Sequence, residues 1–145
     1  MSVAGDSGTP LVRKLGIKAG AEVALLGAPE GFEGLLAPLP DGVKLARTAG
    51  GRLDVIVLFA TELSDLRRRF GAAEAALDTD GGLWVAWPKR ASKVPTDLNL
   101  QRIQEVAFEW GLVDNKGCAI DEVWTGLRFV VRLVDRPARQ AARAT

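Results

Sequence analysis

The feature that most constrains this fold is a short segment, Leu83–Ala86, in which every residue is apolar. Two glycines precede it, and Trp87-Pro88 follows it. A second segment, Leu53–Ala60, is apolar except for Asp54 and is rich in β-branched residues. Strands that lack polar alternation occur in sheets that helices cover on both faces. The sequence therefore predicts an α/β sheet with these two strands near its centre.

The rest of the chain alternates between further strands and helices. The other predicted strands are Glu22–Leu26, a weak edge strand Val43–Ala46, Val113–Asp121 and Leu127–Val134. The predicted helices are Pro10–Gly16, one from Phe32 to Leu36, one with an apolar stripe from Leu63 to Leu77, and one capped by Thr96 or Asp97 with Ile103, Val106, Ala107 and Trp110 on its inner face. Asp80-Gly81-Gly82 is expected to end the third helix. Too few residues separate the last two strands for a crossover helix, so these strands should pair antiparallel.

These elements predict one domain with the architecture of a three-layer α/β sandwich. Its sheet has about six strands, most of them parallel, with the antiparallel hairpin at one edge. The domain is expected to span residues 10–136. The small polar residues 1–9 and the Ala/Arg-rich residues 137–145 are expected to be flexible.

Composition argues against several classes of function. The 145 residues carry a net charge of +1, whereas nucleic-acid binders usually have a clear basic excess. No apolar run approaches the roughly 18 residues of a membrane helix, and the start lacks a signal-peptide pattern, so a cytoplasmic protein without a membrane partner is expected. The chain has no histidine and a single cysteine, Cys118, which excludes histidine triads and disfavours structural zinc.

The loops that follow the parallel strands form the candidate site. The carboxyl ends of parallel strands meet at one edge of the sheet, and α/β proteins bind ligands there. The residues assigned to this edge are Gly27, Pro29, Glu30, Gly31, Glu62, Trp87, Lys89, Arg90 and Lys93. A small polar or anionic ligand fits such a mixture of charges. The alternative is a solvated surface network in which these charges neutralise one another.

Structural roles compete with functional roles at the other conspicuous side chains. Trp84 and Trp110 are expected to fill the core, whereas Trp87 and Trp124 flank loops and suit either the core or a pocket. The three arginines Arg67–Arg69 are interpreted as the solvated face of a helix.

Several segments resemble class I S-adenosylmethionine-dependent methyltransferases. Leu15–Gly20, the strand after it and Gly27–Gly31 are similar to the opening of that fold. Asp54–Ala60, Gly81–Val85 and the C-terminal hairpin are similar to its second half, so the likeness covers nearly the whole chain. It implies a Rossmann-like, methyltransferase-like fold and S-adenosylmethionine as the cofactor, held by the Gly27–Gly31 loop.

The chain is also similar to a family of short bacterial proteins known as a domain of unknown function. The segments that carry this similarity are Ala28–Phe32, Trp84–Lys89, Val94–Leu98 and Val113–Lys116 onward through Trp124 and Arg128. This resemblance implies no activity, cofactor or catalytic residue.

Three functions therefore stay open. The leading one is a non-catalytic module that binds a small ligand or a protein partner at the strand-end edge. The second is a minimal S-adenosylmethionine-dependent methyltransferase, although Arg47 and Thr48 stand where an acid usually holds the ribose. The third is a structural protein that forms homodimers through an edge strand or the hairpin. No catalytic residue is assigned.

Overall fold

Six strands form one mixed sheet in the computed structural model, which describes residues 9–143. The strands are β1 (Glu22–Leu26), β2 (Lys44–Ala46), β3 (Leu53–Phe59), β4 (Leu77–Pro88), β5 (Leu112–Ala119) and β6 (Trp124–Val131). The helices are α1 (Leu11–Lys14), α2 (Phe32–Leu36), α3 (Leu63–Ala76), α4 (Leu100–Glu109) and α5 (Arg136–Arg143). The strand order is β2-β1-β3-β4-β6-β5, with β1 to β4 parallel and β6 antiparallel to both β4 and β5. The predicted fold class, a mostly parallel sheet that ends in an antiparallel hairpin, is confirmed.

The strands β3 and β4 lie at the centre of the sheet because they are apolar on both faces. One face packs on α3 and α4, in a buried cluster that includes Leu58, Leu66, Phe70, Val85, Ile103 and Val106. The other face packs on α1 and α2, in a buried cluster that includes Leu15, Leu25, Phe32, Leu36, Val57 and Trp84. Two separate cores on the two faces of one sheet make the three layers that the sequence predicts.

The prediction that Asp80-Gly81-Gly82 ends a helix is wrong, because these residues lie inside β4. The helix α3 ends at Ala76, and the chain becomes extended at once. A Cβ atom at Gly81 would lie 2.7 Å from the carbonyl oxygen of Asp54, where the β3–β4 register shifts. The glycine therefore permits a close approach of two backbones rather than a turn.

The prediction that Thr96 or Asp97 caps the fourth helix is also wrong. Asn99 caps α4, and its side chain accepts a hydrogen bond from the backbone N–H of Arg102 at 2.8 Å. Asp97 instead accepts a hydrogen bond from the N–H of Leu63 at 2.7 Å. Because Leu63 is the first residue of α3, Asp97 supplies that helix with an acceptor from a distant part of the chain.

Of the two tryptophans expected in the core, only Trp84 is there. Trp84 is fully buried, and its indole N–H donates to the carbonyl oxygen of Leu15 at 3.0 Å. Trp110 follows the last residue of α4 and remains 47% exposed. Its ring packs against Phe70 and Gly71 at the surface of α3.

The segments expected to be flexible lie at the two ends of the chain, and the structure describes most of only the second. Residues 1–8 and 144–145 lie outside the described residues. The Ala/Arg-rich segment, expected to be a flexible tail, instead contains helix α5. Arg139 attaches α5 to α3 through an ion pair with Glu74 at 2.5 Å and a hydrogen bond to the carbonyl oxygen of Leu77 at 3.0 Å. Within residues 9–143, no helix combines the length and the apolar character that crossing a bilayer requires.

Candidate functional site

The strand-end loops lie along one edge of the sheet, where they border three separate hollows. Strands β1, β3 and β4 are parallel and end at Leu26, Phe59 and Pro88. The chain order reverses between β1 and β3, which makes the crevice between them the topological switch point of the sheet. This is the place where open α/β sheets usually bind their ligands.

The central hollow lies at this switch point and has a volume of about 360 Å³. It is lined by Gly27, Phe59, Ala60, Thr61, Asp65, Arg69 and Trp124. Arg69 is the charged side chain that dominates it. The Arg69 guanidinium donates to the carbonyl oxygen of Phe59 and to Asp65 Oδ2, the latter at 2.6 Å from Nη2 and 3.1 Å from Nε. These two acceptors therefore hold the Arg69 guanidinium at the crevice.

The interpretation of Arg67–Arg69 as a solvated helix face is wrong at Arg69. Its side chain is 24% exposed, whereas those of Arg67 and Arg68 are 45% and 72% exposed. The hydrogen bond from Arg69 is the main cause that lowers the pKa of Asp65, and burial of the carboxyl group partly opposes it. Asp65 is thus held as a carboxylate that fixes Arg69.

Gly27 is the residue that leaves room for this arginine. Its φ of +71° is a left-handed conformation that favours glycine. A Cβ atom at this position would lie 3.1 Å from Arg69 Nη1 and 3.3 Å from the carbonyl oxygen of Phe59. The first glycine of the predicted loop therefore accommodates a side chain of the protein itself.

The rest of the β1–α2 loop borders a second hollow of about 340 Å³. Its lining residues are Ala28, Pro29, Glu30, Gly31, Phe32, Glu33 and Arg47. Arg47 follows β2 and forms an ion pair with Glu33. The position where a ribose-binding acid is usual thus carries a cation that is paired within the chain.

The third hollow, called here the α4 hollow, lies between the end of β4 and the start of α4 and is the largest of the three, at about 610 Å³. Its lining residues are Trp87, Pro88, Arg90, Lys93, Val94, Pro95, Thr96, Asp97, Leu98, Asn99, Leu100 and Arg102. Three of these side chains, Arg90, Lys93 and Arg102, are cations, and all three residues are exposed. The α4 hollow combines this positive charge with an apolar wall.

The backbone around Lys93 adopts an unusual conformation. Lys93 ends a short 3₁₀ turn, Arg90–Ser92, and is the one non-glycine among the described residues with a positive φ, at +62°. A lysine in this region is uncommon, and such positions cluster at functional sites. The hydroxyl of Ser92 donates to the carbonyl oxygen of Lys89 at 2.7 Å and helps to hold the turn. This turn presents both Arg90 and Lys93 to the α4 hollow.

Glu30 and Glu62, the carboxylates assigned to the same edge as these cations, do not line the α4 hollow. Glu30 borders the second hollow, and Glu62 lines none of the three. In the part of the chain that the structure describes, no salt bridge joins either of them to Lys89, Arg90 or Lys93. The one acid in the α4 hollow, Asp97, already accepts from the N–H of Leu63. The α4 hollow therefore keeps an excess of positive charge.

Sequence reasoning missed two arginines of this edge and included one lysine that lies outside the hollows. Arg69 could have been found from its spacing, because Asp65 precedes it by four residues on a helix. Arg102 stands three residues after Asn99, so recognition of the true cap would have placed it in the first turn of α4. Lys89 was included, but it borders none of the three hollows; its N–H donates to the carbonyl oxygen of Val123 at 2.7 Å.

No family model and no curated protein matches the chain. Several solved methyltransferase structures are similar to it. The mitomycin 7-O-methyltransferase MmcR superposes with a TM-score of 0.63 at 10% identity, covering 78% of this chain and 49% of its own. A TehB-like S-adenosylmethionine-dependent methyltransferase from Corynebacterium glutamicum gives 0.59 at 13% identity, with 89% and 91% covered. The N-methyltransferase NodS from Bradyrhizobium japonicum gives 0.58 at 15% identity, with 81% and 90% covered.

These solved structures share their fold with this chain. It spans about half the length of MmcR but most of the length of the other two proteins. At such low identities the likeness is one of fold. The chain has the Rossmann-like fold of class I S-adenosylmethionine-dependent methyltransferases, as its sequence resemblance implied.

Proposed function

We propose that this chain is a binding module that uses a methyltransferase-like fold to take a small organic anion in the α4 hollow, without methyl transfer. The observation that carries this proposal is the convergence of Arg90, Lys93 and Arg102 on one hollow beside Trp87. A volume of about 610 Å³ suits a small ligand, since pockets of roughly 300–1,000 Å³ are typical of small-molecule sites.

The wall of the α4 hollow supports an organic anion rather than an inorganic one. The half-buried Trp87 and the exposed residues Val94 and Leu100 offer an apolar surface next to the cations. Ligand pockets are commonly built in this way, with apolar walls that bury the ligand body and a few polar groups that orient it. A carboxylate or phosphate would bind the cations through charge-assisted hydrogen bonds, while the ligand body packs on the wall.

S-adenosylmethionine does not fit the residues at the switch point. The cofactor carries a positive sulfonium and a positive amino group, and its demethylated product S-adenosylhomocysteine keeps the amino group. The Arg69 guanidinium already lines the crevice beside Gly27 where these charges would lie. Like charges at close range in a partly buried site repel each other strongly. Arg47 stands where an acid would hold the ribose, and it is paired with Glu33. These contacts support a fold that has been kept without its usual cofactor site.

Calorimetric titration of the purified protein at low ionic strength tests this proposal. The probes are salicylate, adenosine monophosphate and citrate, and S-adenosylhomocysteine serves as the cofactor probe. We expect saturable binding of salicylate or adenosine monophosphate, weaker binding of citrate because it lacks an apolar body, and none of S-adenosylhomocysteine.

A matched pair of variants locates the binding. Arg90→Gln should weaken it about tenfold, the cost of one charge-assisted hydrogen bond. Arg13→Gln removes an exposed arginine of α1 and should change nothing. A panel without any binding would contradict the proposal and favour a protein partner or a second copy of the chain. Saturable binding of S-adenosylhomocysteine would favour the methyltransferase.

A further inference from the structure

We propose a second anion site, beside the middle of β4, where Lys116, Arg128 and Arg136 bind one phosphate group. This site goes beyond the proposed function and shares no residue with the α4 hollow. Gly82 marks its position on β4, six residues before Pro88 at the α4 hollow, which is roughly 20 Å along a strand. The site lies on the face of the sheet that also carries Trp84.

Two of the three cations stand directly opposite each other on neighbouring strands. Lys116 on β5 is the register partner of Arg128 on β6. Directly opposed residues have Cβ atoms about 4.5–5.5 Å apart, and like charges in such a pair are destabilising. Lys116 Nζ also lies 5.9 Å from the centroid of the Trp84 ring, so both side chains gather over the same part of the sheet. A bound anion would turn this repulsion into attraction.

The backbone of β4 forms a seat for the Arg128 guanidinium. A Cβ atom at Gly82 would overlap Arg128 Nε and would lie 2.7 Å from both Cζ and Nη2. The guanidinium therefore rests directly on the strand, at a place that any larger residue would fill. The planar, fixed fork of an arginine held in this way suits an oxyanion with several acceptor oxygens.

Two of the three cations, Lys116 and Arg128, have no ion pair within the described residues. Neither Arg128 nor Lys116 makes a salt bridge or a side-chain hydrogen bond there. Burial, and then the nearby charge of Arg136, lower the pKa of Arg128. The third cation, Arg136, lies 3.9 Å from Asp80 Oδ1 through Nη1, and its Nε donates to the carbonyl oxygen of Val131 at 3.1 Å. The Asp80 side chain is 81% exposed, so it screens this charge only weakly. The pair Lys116 and Arg128, with the charge of Arg136 acting on Arg128, matches a doubly charged phosphate group better than a single carboxylate.

Titration with inorganic phosphate at low ionic strength, followed by the backbone amide signals of Gly82, Lys116 and Arg128, tests the site. We expect saturable shifts of these signals in the wild-type protein. Arg128→Gln and Arg136→Gln should each weaken binding about tenfold. Two controls should leave it unchanged: Lys44→Gln, at the far edge of the sheet, and Arg90→Gln, which acts on the α4 hollow. Because Arg90→Gln separates the two sites, either can fail without the other.

Gly82→Ala provides the sharpest test, because it keeps every charge and removes only the seat. The added methyl group must displace the Arg128 guanidinium, so phosphate binding should weaken about as much as in Arg128→Gln. Wild-type affinity in Gly82→Ala, or the absence of saturable shifts in the wild-type protein, would overturn the proposal. A second titration, with glycerol 3-phosphate, distinguishes the sources: tighter binding than phosphate identifies a phosphate monoester, and equal or weaker binding identifies free phosphate.

Discussion

Arg69 shows how one side chain changes what a methyltransferase-like fold can bind. It donates to Asp65 and to the end of β3, and it brings a positive charge to the crevice beside Gly27. The sequence of three consecutive arginines, Arg67–Arg69, does not reveal which of them lies at the crevice. Their side chains point in different directions around the helix, and the sequence run alone does not show these directions. The direction follows from the buried neighbours Leu66 and Phe70, which place Arg69 at the margin of the core.

The Asp65–Arg69 contact should make stability depend on pH. Because the pKa of Asp65 is lower in the folded protein, its contribution is complete above the unfolded value near 4 and disappears as the pH falls through the folded value. Asp65→Asn should therefore lower the free energy of unfolding by about 1 kcal/mol at pH 7, a figure that allows for the partial exposure of the pair. Urea unfolding of both proteins at pH 7 and pH 3 measures the difference, which should shrink at pH 3. An equal difference at the two pH values would show that the stabilisation by Asp65 does not depend on the charge of its carboxylate.

The two adjacent glycines of β4 should respond differently to the same substitution. At Gly81 an added Cβ meets backbone oxygens of Asp54 and Leu53, which cannot move without disturbing β3. Gly81→Ala should cost about 1–3 kcal/mol, as overpacking does. At Gly82 the added atom meets only the end of the flexible Arg128 side chain, so Gly82→Ala should cost less than about 1 kcal/mol. Equal losses in urea unfolding would contradict the close approach at Gly81.

At the scale of elements, sequence patterns located most strands and helices, whereas tertiary contacts decided how they end. The strands Glu22–Leu26 and Leu53–Phe59 were predicted correctly to within one residue. Both are mostly apolar runs; glycines lie near both ends of the first, whereas polar residues mark the carboxyl end of the second. The start of β4 was missed because Gly81 and Gly82 are also typical of turns. The role of Asp97 was missed because its partner, Leu63, is 34 residues away. The α4 hollow was only partly predicted because the cap of α4 was misassigned, which left Arg102 out of the site.

Asp97 should stabilise α3 even though it belongs to a different segment. Its carboxylate accepts from the N–H of Leu63, one of the donors that a helix leaves unpaired at its start. Asp97→Ala should lower the free energy of unfolding by about 1 kcal/mol, the usual loss for a helix cap. Gln101→Ala, at an exposed position of α4, is the control. If both variants unfold like the wild-type protein, Asp97 does not act as a cap.

At the scale of the whole molecule, α5 attaches the end of the chain to α3 and β4. Arg139 and Glu74 are 16% and 14% exposed, and Arg139 also binds the carbonyl oxygens of Glu74 and Leu77. Replacing one partner of a largely buried pair leaves the other charge without compensation. Arg139→Ala should therefore lower the free energy of unfolding by about 2–3 kcal/mol. Gln140→Ala, on the exposed side of the same helix, should have no effect; similar midpoints for the two variants in chemical denaturation would contradict the attachment.

The four tryptophans lie in different parts of the molecule, so one spectrum can report on the α4 hollow, the central crevice and the proposed phosphate site. Trp87 lines the α4 hollow, and Trp124 lines the central crevice together with Arg69. Trp84 lies beneath Lys116 at the proposed phosphate site, and Trp110 lines none of the three strand-end hollows. Each has a single indole N–H, which gives a separate signal in a nitrogen-correlated NMR spectrum.

The most direct test of the central claim is to follow these four indole signals while salicylate and S-adenosylhomocysteine are added in separate titrations. We expect salicylate to shift the Trp87 signal in a saturable way, and S-adenosylhomocysteine to leave the Trp124 signal in place. Trp110 should not respond to either compound. A saturable shift of Trp124 with S-adenosylhomocysteine would contradict the account, because the crevice would then bind the methyltransferase cofactor despite Arg69.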